Sequence, residues 1–158
     1  AKQESLTPYR TVQNRYSLLH REPEAEVFAV CNERDIGFLP FFPLESGLLT
    51  GKVGVEGPRP GTRLSEWPQN RVDLFINDDK LSIVDRLTDW LRHIDRTLLE
   101  LAFSWLLTRS EIPSVIAGAT SADQVFANSL ASGWQLTDVE LDEVADILSN
   151  SEPRSPRS

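Results

Sequence analysis

Residues 114–125 read Ser-Val-Ile-Ala-Gly-Ala-Thr-Ser-Ala-Asp-Gln-Val. The apolar β-formers of Ser114–Ile116 predict a short buried strand. A turn of small residues follows at once, and a helix is expected from about Ala122 to Leu130. Ser121 and Gln124 have the spacing of a capping box, which would start that helix. A strand that opens directly into a capped helix is the joint of a β/α unit. The turn suits an anion at the helix start, and it equally suits a plain helix start.

The same alternation recurs upstream. A strand is expected around Thr11–Gln13, and Pro23 fits the first turn of a helix. Within Ala25–Glu33, Val27, Val30 and Cys31 fall on one helical stripe, so Cys31 reads as a packed apolar residue. Ile36–Phe42 is nearly all apolar, the pattern of a strand buried on both faces, with Pro40 near its end. Glycines and prolines then punctuate a stretch reaching Pro68, expected to be a functional or mobile loop.

Asn77 is an N-cap signal, with Asp78 and Asp79 placed against the helix dipole. Helical stripes follow at Ile83, Leu87, Trp90, Leu91 and Ile94, and again at Leu98, Leu101, Ala102, Trp105 and Leu106. Thr137 and Glu140 form a second capping-box pattern, flanked by Leu136 and Leu141 at staple positions. Leu141, Val144, Ala145 and Leu148 give the last helix its apolar face. Residues 150–158 are polar and rich in Pro, Arg and Ser, and are expected to be a disordered tail. Strands alternating with helices imply parallel β/α units, an α/β fold.

Bulk properties exclude several functions. The 158 residues carry a formal charge of −8, which offers nothing to neutralise nucleic-acid phosphates or an anionic membrane. One cysteine and two well-separated histidines exclude an internal disulfide and leave no metal-ligand spacing. No apolar run spans a membrane, and no leader pattern is present, so a cytoplasmic setting is expected. A chain that begins at Ala1 and holds no methionine reads as partial or processed.

Ligands of parallel β/α folds gather at the carboxyl ends of the strands. Gln13-Asn14, Phe41–Gly47 and Gly118–Gln124 would meet there. Together they offer amides for a carboxamide, an aromatic face for a flat ring and backbone N–H groups for phosphate. No Ser/His/acid set and no Lys–Tyr pair lies at this rim, so no catalytic residue is assigned.

Three motifs, Gln13–Val27 (QNRYSLLHREPEAEV), Leu39–Lys52 (LPFFPLESGLLTGK) and Ser114–Asn128 (SVIAGATSADQVFAN), resemble those of the aldo-keto reductases in the correct order. The resemblance implies the last three β/α units of a (β/α)8 TIM barrel plus its C-terminal helix, over residues 1–149. It implies hydride transfer between NADPH (with NADH possible) and a small carbonyl substrate, without a metal. Gln13 would contact the nicotinamide carboxamide, and Phe41 stands where a stacking tyrosine is usual. Pro43, Leu44 and Gly47 would line the pyrophosphate. Gly118, Ala119, Thr120 and Ser121 would face the adenosine phosphates, Gln124 the 2′-phosphate and Asn128 the adenine.

Phe42, Glu45, Ala117, Phe126 and Ala127 depart from the family pattern. Glu45 replaces a glycine near the phosphates, so a repulsive carboxylate is expected there. The family's catalytic Asp, Tyr, Lys and His lie on early strands and match no position here. A complete barrel takes about 250 residues. The expectation is therefore the cofactor-binding part of a reductase, completed by the remaining strands, by a complementary chain or by self-association. The alternative is a non-catalytic nucleotide-binding or regulatory module.

Overall fold

The computed structural model describes residues 7–149 apart from residues 55, 56, 59, 62 and 74. The expected tail, 150–158, lies outside the described residues. Strands β1 (Thr11–Arg15) and β2 (Gly37–Phe41) pair in parallel, with Thr11 opposite Gly37 and Arg15 opposite Phe41. A parallel pair needs a crossover. Here it is a 3-10 turn at Glu22–Glu24, with Pro23 in its first turn, followed by α1 (Val27–Arg34).

The inner face of α1 differs from expectation. Phe28 and Cys31 are buried, whereas Val30 is 51% exposed. The Phe28 ring meets the Tyr16 and Phe38 rings edge-on at 5.0 Å each, and that aromatic corner sets which side of α1 faces inward.

β2 is not buried on both faces. Phe38 is fully buried among Tyr16, Phe28 and the helices, but Phe41 is 36% exposed and Leu39 half-buried. Alternation along the paired strands puts Thr11, Gln13 and Arg15 with Gly37, Leu39 and Phe41 on the second face. Helices cover one face of the pair, and the other is open.

The expected third strand, Ser114–Ile116, has no regular secondary structure and forms no ladder, and Ile116 is exposed rather than buried. Phe38 N–H donates to Glu111 O at 2.7 Å and Ile116 N–H donates to Pro40 O at 3.3 Å, so this segment runs beside β2. In a parallel ladder, the bond paired with Ile116 N–H to Pro40 O would be a residue-40 N–H donated to the Ser114 carbonyl. Proline has no N–H, so the bridge is half made. The β1 side loses nothing, because the β2 groups facing it belong to alternate residues: Gly37 N–H donates to Arg10 O, and Phe41 O accepts from Tyr16 N–H. Among the described residues the parallel sheet therefore has two strands, with a third segment docked by single bonds.

The long Gly/Pro-rich stretch is not an empty loop. It holds a 3-10 segment at Glu45–Thr50, a minimal antiparallel pair of β3 (Val53–Gly54) and β4 (Gly57–Pro58), a 3-10 turn at Arg63–Glu66 and α2 (Gln69–Val72). Leu48, Leu49, Val53 and Leu64 anchor it in the core.

α3 (Asp78–His93) starts as expected, with Asn77 Oδ1 accepting the Lys80 N–H at 2.9 Å. α4 (Leu98–Leu107) opens with a capping box of Thr97 and Glu100. α5 (Ala122–Ala131) and α6 (Asp138–Ser149) complete the fold. The Thr137–Glu140 box at the start of α6 is formed, with Thr137 N–H donating to Glu140 at 2.7 Å. Val144 is buried on α6, but Ala145, expected beside it, is exposed. Trp90 of α3 stacks on Trp134 at 6.2 Å and donates its indole N–H to Glu143 of α6 at 2.9 Å, tying the two helices. One continuous core runs from Tyr16 and Phe38 through Leu87, Leu91, Leu101, Trp105 and Leu106 to Val144.

Candidate functional site

The open face of the sheet ends in a rim. β1 leads past Arg15 to Ser17, and β2 leads past Phe41 to the turn at Phe42–Gly47. The Ile116 to Pro40 bond holds Ala117 and the residues after it at the same end as Phe41. Gln13 and Phe41 thus share one face, with Gln13 opposite Leu39 and Phe41 opposite Arg15. Gln13 is exposed. Pro43 is buried, Leu44 packs against the core and Gly47 turns the chain at φ 106°. That angle belongs to glycine.

The turn at 118–121 is exposed. Ser121 Oγ accepts the Gln124 N–H at 3.3 Å, so Ser121 is the N-cap of α5. The Gln124 carboxamide reaches back to Thr120 rather than to Ser121, accepting its N–H at 2.8 Å and its hydroxyl at 3.2 Å. Ala119 and Asn128 line one cleft of about 340 Å³ between α4, α5 and the 113–119 segment, with Phe103, Val115, Val125 and Ser132. Gln13, Phe41, Pro43, Leu44 and Gly47 are not in that cleft; they lie on the β1–β2 side of the rim.

The expected repulsive carboxylate is neutralised. Glu45 is fully buried, and its oxygens accept from Arg15 Nη2 (2.6 Å) and Nε (3.3 Å), Ser17 Oγ (2.9 Å) and Lys80 Nζ (3.2 Å). Burial pushes the Glu45 carboxyl up, but Arg15 and Lys80 outweigh it and hold the group below the ordinary carboxylate range. The Arg15 guanidinium also lies over the Phe75 ring at 4.3 Å. The turn that carries Glu45 is strained: Phe42, Glu45 and Ser46 all have positive φ, at 55°, 46° and 56°. Each such residue costs about 1 kcal/mol or more, which the surrounding contacts must offset.

Arg15, Ser17 and Lys80 were not found from sequence. They lie far from Glu45 along the chain, and spacing gives no signal for them. Only the two-residue periodicity of β1 would have put Arg15 on the Gln13 face. A second cluster lies nearby. Glu24 accepts from Tyr16 (2.6 Å), from Arg21 twice (2.8 Å each) and from Arg109 (3.3 Å), while both arginines lie against the Trp105 ring. No group of histidine, cysteine and acidic side chains suited to a metal occurs among the described residues. No described helix is long and apolar enough to cross a membrane.

The chain is 31% identical over 144 residues to an NADH-specific methylglyoxal reductase of Escherichia coli, an alignment covering 87% of the chain and 42% of that protein. It is 30% identical over 150 residues to a "probable voltage-gated potassium channel subunit beta" of Arabidopsis thaliana, covering 92% of the chain and 45% of that protein. The solved structure of a glycerol dehydrogenase from Gluconobacter oxydans matches with a TM-score of 0.75 at 25% identity, over 98% of the chain and 47% of that structure. The chain thus spans less than half the length of each of these relatives. The model of the aldo/keto reductase family matches residues 1–149. From its motifs, its open-faced parallel pair and this match over nearly its whole length, the chain belongs to the aldo/keto reductase family.

Proposed function

We propose that the chain forms the nucleotide-holding part of an oxidoreductase that transfers a hydride between NADPH or NADH and an aldehyde or ketone. The observation that carries this reading is the open sheet face ending in a shared rim. Gln13 and Phe41 stand on that face, and the 117–121 turn and the capped start of α5 stand at the same end. The family membership and the NADH-specific relative support a nicotinamide nucleotide.

Such a nucleotide supplies the hydride when bound. Gln13 would hold its carboxamide and Phe41 the face of its ring. Pro43, Leu44 and Gly47 would shape the wall beside the pyrophosphate. Gly118, Ala119, Thr120 and Ser121 would meet the adenosine phosphates, with Gln124 beside the 2′-position and Asn128 at the adenine. The cleft holding Ala119 and Asn128 is large enough for part of such a ligand, since small-molecule sites measure about 300–1,000 Å³. The acid–base groups would come from β/α units that close a barrel over the open face, in a further stretch of polypeptide, a complementary chain or a second copy.

A second reading is a nucleotide-binding regulatory module without turnover. Phe42, Glu45 and Phe126 in place of the usual family residues favour it, as does the likeness to the channel subunit. Titration calorimetry with NADPH and NADH, followed by aldehyde turnover with and without the early-strand half of a relative, separates the two. The first reading expects nucleotide binding, with turnover only in the reconstituted pair. Binding without turnover in the pair selects the regulatory module. Turnover by the chain alone refutes the placing of the chemistry elsewhere. Absence of nucleotide binding in both states refutes both readings.

A further inference from the structure

The donors around Glu45 form a built anion site. One edge of a guanidinium, an ammonium and a hydroxyl converge from β1, the residues just after it and the first turn of α3 on the two oxygens of one buried carboxylate. Arg15 is braced over Phe75, so its position does not depend on Glu45 alone. Two cations face one carboxylate, leaving the cluster one positive charge in excess. The side chains of Arg15 and Lys80 keep 23% and 16% exposure, so both reach the rim, while Glu45 has none. This is the donor set that binds a phosphate: a planar bidentate fork, a point cation and an O–H.

Glu45 also sits in a poor place for its own backbone. Glu45, Ser46 and Gly47 have consecutive positive φ angles of 46°, 56° and 106°. The Ser46 hydroxyl is buried with no hydrogen-bond partner. Four bonds to the carboxylate hold a turn that would otherwise relax.

We propose that Arg15, Ser17 and Lys80 form a phosphate-binding site whose place is held in cis by the Glu45 carboxylate, and that a diphosphate displaces Glu45 and releases the strained 42–51 turn. A diphosphate brings more charge than one carboxylate. The released Glu45 regains water, and the backbone strain and the orphaned hydroxyl are relieved. The proposal deepens the nucleotide reading above and rests on it only for the identity of the natural ligand. The site thereby acquires a built-in competitor, so that only ligands carrying two adjoining phosphates open it.

The test uses the full chain and inorganic pyrophosphate. Calorimetry should give at least tenfold tighter pyrophosphate binding to Glu45→Gln than to the wild type, and at least tenfold weaker binding to Lys80→Met. Hydrogen exchange of the unaltered protein should show faster exchange across residues 42–51 when pyrophosphate is added, a readout that does not depend on any variant folding. Equal or weaker binding by a folded Glu45→Gln protein, or a 42–51 turn unmoved by saturating pyrophosphate, overturns the proposal. If pyrophosphate behaves as expected and neither NADPH nor NADH binds, the phosphate site stands and the nucleotide reading falls. If a dinucleotide binds with equal affinity to both proteins and leaves the turn unchanged, the reading stands and this site falls.

Discussion

Replacing Tyr16 by Phe removes one oxygen from the centre of the molecule and little else. The Tyr16 ring is fully buried, stacks on Trp105 at 5.6 Å and meets Phe28 and Phe38 edge-on, contacts that phenylalanine keeps. What is lost is the O–H donated to Glu24 at 2.6 Å. A hydrogen bond to a charged partner contributes about 1.5–3 kcal/mol. Glu24 retains Arg21 and Arg109, and its side chain is 27% exposed, so water can replace the donor. The cost therefore belongs at the low end, about 1.5 kcal/mol. With a urea m-value of about 1.5–2 kcal/mol/M, the unfolding midpoint at neutral pH should fall by roughly 1 M.

A pH arm separates this account from a packing defect. Burial, then the Glu24 hydrogen bond, pushes the Tyr16 phenol above its ordinary value of 10.0. A raised folded value means that the stability is fully present below 10.0 and lost as pH rises from there toward the folded value. At pH 11 the wild type loses about 1.4 kcal/mol that Tyr16→Phe, with nothing to titrate, does not lose. The gap between the two midpoints should nearly close. A gap absent at neutral pH, or a gap of the same size at pH 8 and pH 11, would refute the reasoning.

Two further outcomes are expected. Pro40→Val supplies the missing N–H opposite the Ser114 carbonyl. The bond gained (about 0.5–1.5 kcal/mol) and proline's lost restriction of the unfolded chain (about 0.4–1 kcal/mol) nearly cancel, so stability changes by under ~1 kcal/mol. The new residue-40 amide should nonetheless be protected in hydrogen exchange, and an unprotected amide contradicts the parallel register drawn for residues 114–116. Burial raises the carboxyls of Glu24 and Glu45, but the hydrogen bonds and charges of their partners outweigh it and leave both below the ordinary 4.5. Stability from such groups is present above that value and lost as pH falls below it. The urea midpoint should drop below about pH 4.5, and less steeply in Glu45→Gln; equal steepness in the two proteins rejects Glu45 as a contributor.

The elements that the sequence made legible are those whose signals are local. Asn77, Thr137 with Glu140, and Ser121 are read correctly because a helix start is specified within four residues. The core stripes of α3 and α4 follow from the 3.6-residue period, as Leu87, Leu91, Leu101 and Leu106 show. The failures come from relations between distant segments. Ile36–Phe42 looks doubly buried because its composition is apolar, but burial of the second face depends on which strands pack there. The 114–116 segment has strand composition, yet the bond it lacks is removed by Pro40 on its neighbour. Val30 fits the α1 stripe, and the Tyr16–Phe28–Phe38 corner turns the helix so that Phe28 faces inward instead. At the candidate site, Gln13 and Phe41 were placed by motif. The partners that neutralise Glu45 come from positions 15, 17 and 80, which only the folded chain brings together.

The aromatic contacts have a spectroscopic consequence. The four tryptophans occupy three unlike surroundings. Trp90 and Trp134 stack at 6.2 Å with planes 25° apart, close enough to share an excitation, so their near-ultraviolet dichroism reports whether the segment leading into α6 is docked on α3. Trp105 is buried, stacked on Tyr16 with the Arg21 and Arg109 guanidiniums against its ring, and its emission follows the global fold. Trp67 meets Phe75 at 5.3 Å, and Phe75 in turn carries the Arg15 guanidinium. A change confined to Trp67 emission would mark an event at the rim, so the native chain can be followed at its site, its core and the lead into its last helix without any added label.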